Sequence, residues 1–332
     1  MDKRFRVAII GAGQIAALHI KAIQSLSDVE LAGVYDVDRA RAEQAAQRGG
    51  ARAYETLDAV WEDASVDGVH VCTPNHLHAE QAIRALEAGK HVLVEKPMAL
   101  SLADCDRMIA AAQRAERVLM VGHLQRYMPV NRTARRLLRD GAVGEARHLV
   151  RQRLCDFTEA SAWFRPWYSD KAQVGNCVLH GWGPHDLDIL LWYIDSPGIR
   201  VYAQGTQSSE LYRDQGDTYS VIVNHACGAV SSVTISNASR INLLEQVIIG
   251  TRGTLRIASG KVWLNGEEVP VEGAGTDALA LEIAEFARCS REGGVPDADG
   301  LSSRRSMAVI EGALTSAQQN APVDVGEPAP RR

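Results

Sequence analysis

The chain has 332 residues, enough for about two domains of the usual ~150 residues. Apolar residues make up 46% and charged residues 23%, a globular balance that excludes disordered, collagen-like and membrane compositions. With 36 Lys plus Arg against 41 Asp plus Glu the net charge is -5, so no field exists to hold a polyanion and no nucleic-acid partner is expected.

Residues 6–10 (R-V-A-I-I) form a β-branched run, followed by glycines and then by apolar residues at helical spacing, Ile15, Leu18, Ile23 and Leu26. A second strand-like run, 30–35, ends in Asp36, an Ala-rich helix follows over 39–47, and 68–72 (G-V-H-V-C) reads as another short buried strand. Helices at 76–88 and 101–116 are each followed by an apolar strand, 91–94 and 118–121. This alternation predicts a doubly wound parallel sheet covered on both faces, ending near residue 122.

After a helix over 129–139 the pattern changes to long alternating runs at 146–154, 199–207, 217–224 and 229–236, then shorter strands at 245–250 and 253–258. These predict a large, mostly antiparallel sheet. Helices at 276–291 and 301–319 close the chain, giving an α+β domain over 123–325 and a flexible tail over 326–332. The six cysteines are scattered without a C-x-x-C pair, which points to reduced core residues. No apolar run approaches the ~18 residues of a membrane span, so a cytoplasmic protein without membrane contact is expected.

The most informative motif is G-A-G-Q-I-A at 11–16, between a strand and a helix. Gly11 permits the tight turn, Gly13 lets a pyrophosphate approach the helix N-terminus, and Ala16 packs helix on sheet. Asp36 stands about 20 residues on, where a carboxylate accepts from both ribose hydroxyls. The competing readings are a ligand-free turn and a helix cap at Asp36. A carboxylate there repels a 2′-phosphate and favours NAD over NADP, with Arg39 and Arg41 close by as the opposing feature. E-K-P at 95–97 follows the strand H-V-L-V, so Lys96 emerges at a carboxyl end, where open α/β sheets bind ligands.

Taken together, G-A-G-Q-I-A with His19, C-T-P-N-H-L-H-A at 72–79, A-G-K-H-V-L-V-E-K-P at 88–97, P-H-D-L-D-I-L-L-W at 184–192, G-T-R-G-T-L at 250–255 and I-E-G-A-L-T-S-A at 310–317 resemble the Gfo/Idh/MocA oxidoreductases. The resemblance runs nearly end to end. It implies a Rossmann domain whose Gly11, Gly13, Gln14, Ile15, Asp36, Thr73, Pro74, Asn75, His78, Glu95 and Lys96 contact the dinucleotide. It also implies that Lys96 bonds the substrate hydroxyl or carbonyl and that His185 is the general acid/base. A base near neutral pH and a cation beside the developing alkoxide are what hydride loss from a carbinol carbon requires.

Asp188 lies three residues beyond His185, on the same helical face if Pro184 opens the helix, placed to orient the imidazole or hold a substrate hydroxyl. Many relatives carry an aspartate four residues before the histidine, whereas here that residue is Gly181, flanked by His180 and Trp182. Either His180 supplies the missing group, or Lys96 and His185 work without it, or the reaction differs. Arg126 and Tyr127 resemble substrate-contacting positions, and Trp163, Trp167 and Tyr168 form an aromatic cluster apt for stacking on a sugar ring. The other histidines lack metal-ligand spacing, so no metal is expected.

The implied activity is NAD-dependent oxidation or reduction of a secondary alcohol or ketone on a sugar, cyclitol or related polyol. The alternatives are a cofactor-recycling enzyme that oxidises transiently to assist epimerisation, elimination or glycoside cleavage, and a ligand-sensing regulator. By analogy the protein is expected to be a homodimer or homotetramer.

Overall fold

The computed structural model describes residues 4–326 apart from 160, 162, 163 and 213. The chain divides into two compact units, Met1–Leu124 with Asp277–Ser303, and Gln125–Thr276 with Arg304–Arg332.

The first unit begins β1 (Phe5–Ile10), α1 (Gln14–Gln24), β2 (Val29–Tyr35), α2 (Arg39–Gly49), β3 (Arg52–Ala53), α3 (Leu57–Trp61), β4 (Gly68–Val71), α4 (His78–Glu87), β5 (His91–Val94), α5 (Leu102–Ala115) and β6 (Leu119–Val121). The six strands form one parallel sheet in the order β3-β2-β1-β4-β5-β6. Its central strands are buried on both faces: Val7, Ala8, Ile9, Ile10, Val69, Val71, Val92 and Val94 have no exposed surface, as helices on both sides demand. Two-residue β3 and five-residue α3 are too short to show in the sequence pattern.

The second unit runs through α6 (Pro129–Arg139), β7 (Ala146–Asp156), α7 (Lys171–Val174), α8 (Gly183–Ile194), β8 (Gly198–Thr206), β9 (Thr218–His225), β10 (Val230–Ser236), β11 (Ala238–Gly250), β12 (Thr254–Ala258), β13 (Lys261–Leu264) and β14 (Glu267–Val269). Then come α9 (Ala278–Glu292), α10 (Gly300–Gln319) and β15 (Val323–Asp324). Nine strands form a mixed sheet, β14-β13-β12-β11-β7-β10-β9-β8-β15. All its pairs are antiparallel except β7 with β10, which are parallel. Alternation puts Val221, Val223, Val233 and Ile248 in the core while Ile222 and Ile249 remain exposed.

The expected second domain, 123–325, needs one correction. Residues Asp277–Ser303 belong to the first unit, because α9 lays Leu279, Ile283, Phe286 and Ala287 onto it. The Phe286 ring meets Phe5 edge-on at 5.6 Å. Amphipathic spacing identifies a helix but not the sheet it covers.

Candidate active site

In the first unit the carboxyl ends of β1, β4 and β5 deliver Gly11–Gly13, Cys72–Asn75 and Glu95–Pro97 to one edge of the sheet. Gly11 has φ +90°, and a Cβ there would lie 2.6 Å from the Cys72 carbonyl, so only glycine fits. Gly13 caps α1 with no side-chain hydrogen bond, and a Cβ built on it meets nothing within 4 Å. Open space at a helix N-terminus is what a pyrophosphate needs. Asp36 accepts from the Ala12 amide at 2.7 Å and the Asp38 amide at 2.8 Å, which orient its carboxylate at the end of β2. These residues fit a dinucleotide.

Lys96 is joined to Pro97 through a cis peptide bond. On its amino side Glu95 accepts the Lys96 amide at 3.2 Å and contacts His19 Nε2 at 3.0 Å. His19 Nδ1 in turn meets His70 Nδ1 at 3.0 Å. Glu95 is held below the ordinary carboxylate range against the opposing effect of burial, chiefly by the His19 hydrogen bond and then by the charges of His19 and Lys96. Burial, reinforced by His19, drives His70 well below its usual range. His78 was expected among the cofactor contacts, yet its Nδ1 faces the Pro97 carbonyl at 2.8 Å and its Nε2 the Thr73 carbonyl at 2.9 Å. Both ring nitrogens are thus engaged by main chain, which removes His78 from the direct contacts.

In the second unit α8 carries His185. Pro184 stands in its first turn, and Asp186 beside it is wholly buried between two arginines of β7. Arg151 Nε and Arg153 Nε both donate to the Asp186 carboxylate at 2.6 Å. Asp188 is equally buried, taking Arg126 Nε at 2.8 Å, Arg126 Nη2 at 2.6 Å and Ser306 Oγ at 2.7 Å. The reading of Asp188 as a substrate or imidazole partner, and of Arg126 as a substrate contact, is therefore corrected: the two form an internal ion pair. Tyr127, 1% exposed, is also interior. These anchors fix α8 and leave His185 half-buried, tilted against Trp182 at 6.0 Å between ring centroids.

Gly181 has a physical reason. The Cys177 carbonyl oxygen lies 2.2 Å from where its Cβ would stand, so the backbone has no room for an aspartate. His180 does not replace one. Its Nδ1 accepts the Asn176 amide at 2.9 Å, which places its proton on Nε2, and burial pulls it down to about 4. With its one lone pair taken by that amide, His180 has no ring nitrogen free to accept a substrate proton, which argues against it as the acid/base.

Trp163 lies outside the described residues. Trp167 stacks on Tyr168 at 4.1 Å, Tyr168 meets Phe157 at 5.4 Å, and Phe157 meets Trp182 at 5.7 Å, a run that ends at His185. Phe157 and Trp182 were missed as members, since their link to the cluster is made across β7 and α8. Among the described residues no group of three His, Cys, Asp or Glu is placed to hold a metal.

Residues 5–123 match the family model described as "Oxidoreductase family, NAD-binding Rossmann fold", and residues 131–256 match the GFO/IDH/MocA C-terminal domain. The chain belongs to the Gfo/Idh/MocA oxidoreductases. It is 29% identical to a UDP-N-acetylglucosamine 3-dehydrogenase of Acidithiobacillus ferrooxidans, covering 91% of this chain and 94% of that one. It is 27% identical to a D-apiose dehydrogenase of Paraburkholderia graminis, covering 97% and 90%. An aldose-aldose oxidoreductase from Caulobacter crescentus, solved with glycerol, superposes with a TM-score of 0.88 at 25% identity, covering 97% and 100%. For this Gfo/Idh/MocA protein the expected Rossmann fold, the mostly antiparallel second sheet and the oxidoreductase class all hold. No helix among the described residues is long and apolar enough to cross a membrane.

Proposed function

We propose that this protein is an NAD-dependent dehydrogenase or reductase of a secondary alcohol or ketone on a sugar, cyclitol or related polyol. The observation that carries the reading is the single edge of the first sheet, where the open space at Gly13, the oriented Asp36 carboxylate and Lys96 stand together. When bound there, NAD supplies the hydride acceptor. Gly11, Gly13, Gln14, Ile15, Asp36, Thr73, Pro74, Asn75 and Glu95 are its proposed contacts.

Lys96 is the cation that stabilises charge developing on the substrate oxygen, and His185 takes or returns the hydroxyl proton. Trp167, Tyr168 and Trp182 offer aromatic faces to the C–H face of a sugar ring. Relatives named for UDP-N-acetylglucosamine and D-apiose support a polyhydroxylated substrate. NAD is favoured over NADP because Arg39 and Arg41 are already paired, with Glu43 at 2.7 Å and Asp38 at 3.1 Å. The first unit holds the cofactor and the second the substrate-selecting groups. Cytoplasmic residence and a homodimer or homotetramer complete the reading. The row Ile222, Ser232, Val150, Val247 across neighbouring strands, continued by exposed Ile249, is the face available for pairing; light scattering after gel filtration reads the assembly.

The test incubates purified protein with NAD and a panel of polyols while following NADH absorbance. Growth of NADH that Lys96→Ala abolishes, with NADH binding retained, is the expected result. Absence of any turnover, with cofactor binding intact, overturns the reading. The backbone at Gly181, which excludes a carboxylate, favours a second reading, in which a tightly held cofactor is recycled. Substrate conversion without net NADH identifies it.

A further inference from the structure

Two segments past the strand ends make up the first-unit site: Thr73–Asn75 after β4 and Lys96–Pro97 after β5. The ladder between these strands reaches the Glu95 amide, which donates to the Val71 carbonyl at 2.9 Å. Beyond it Pro74 and Pro97 have no amide to offer. One side chain spans the interval: His78, 1% exposed, at the start of α4. Its ring lies between the Pro97 carbonyl at 2.8 Å and the Thr73 carbonyl at 2.9 Å.

We propose that His78 is a positioning residue, tying the Thr73–Asn75 segment to the Lys96–Pro97 turn and so fixing where Lys96 stands beside a bound dinucleotide. The inference rests on the dehydrogenase reading for its kinetic consequence, but not for the tie itself. Carbonyl oxygens only accept, so both contacts are hydrogen bonds only when both ring nitrogens carry protons. A neutral ring keeps one bond and turns a lone pair toward the other carbonyl. The charged groups acting on the ring are Glu95, which favours its protonation, and Lys96, which opposes it. Burial is the largest influence and pulls His78 below the usual histidine range, while the two carbonyls push back. The tie is therefore complete in acid and halved as the ring loses its proton. Lys96 is held from its other side by Glu95 and His19, so His78 supplies the link toward the cofactor segment.

The experiment compares wild type, His78→Gln and His78→Phe as full chains with NADH present, labelled with 15N-histidine. The His78 signals, identified by their loss in the variants and followed over the range in which the protein stays folded, are expected to show two ring N–H groups at the acid end, one disappearing as pH rises. A misplacement of about 1 Å costs about 100-fold in rate, so kcat of His78→Gln is expected to fall about 10- to 100-fold with substrate KM near the wild-type value. Its pH profile loses the limb that tracks the His78 signal. A folded His78→Gln with wild-type kcat and an unchanged profile overturns the positioning role. A single ring proton throughout the range refutes the double tie. Wild type silent toward every polyol sinks the dehydrogenase reading instead, and the ring signals still judge the tie.

Discussion

Gly181→Ala tests why the segment before His185 departs from its relatives' acidic pattern. The new methyl would lie 2.2 Å from the Cys177 carbonyl oxygen, against 3.4 Å or more in ordinary contact. The opposing atom is backbone, and the adjoining Cys177 amide is itself held by Gln215 Oε1 at 2.9 Å. Relief by rotating a flexible side chain is therefore unavailable. Overpacking of this kind costs about 1–3 kcal/mol, while the stiffer unfolded chain returns about 0.4–1 kcal/mol. A net loss of about 1–2 kcal/mol lowers the melting temperature by roughly 2–8 °C for a unit of this size. Calorimetry of both proteins reads the shift, and Gly181→Asp should be no more stable and no more active than Gly181→Ala. A Gly181→Ala protein as stable as wild type, with the Cys177 carbonyl unmoved, would refute the steric account.

Asp186→Asn leaves two buried guanidinium groups without their shared carboxylate and should cost about 3–5 kcal/mol by urea unfolding; a loss below about 1 kcal/mol contradicts the triad's role in seating α8. Glu282 is fully buried, neither carboxylate oxygen has a partner, and burial raises its pKa well above the ordinary value. The folded state therefore keeps a proton that the unfolded chain loses above about pH 4.3, so this group makes stability fall with rising pH by up to about 1.4 kcal/mol per unit until the folded pKa is passed. Glu282→Gln should flatten that slope in unfolding measured from pH 5 upward, and identical slopes would remove Glu282 as its source. Asp36→Ala should weaken NADH binding at least tenfold by fluorescence titration, since charged hydrogen bonds of about 1.5–3 kcal/mol are lost. NADPH binding left unchanged by the same substitution is the companion result, and equal losses for both would contradict the NAD preference.

Sequence alone determined what depends on local periodicity and short motifs. Alternating β-branched runs and amphipathic helices specified the parallel first sheet because its central strands are apolar on both faces. Gly11, Gly13 and Asp36 were legible because their spacing follows one strand, one turn and one helix. Lys96 and His185 were proposed through the family resemblance, whose motifs sit at element ends. Only tertiary structure decided which unit α9 covers, since an apolar stripe does not name its partner. It also turned Arg126 and Asp188 from surface candidates into a buried pair, and His180 from a candidate base into a neutral donor, because burial and hydrogen-bond partners come from distant elements. The tie made by His78 lay in that same class: Thr73 and Pro97 are 24 residues apart, and only the pairing of β4 with β5 brings their carbonyls to one imidazole.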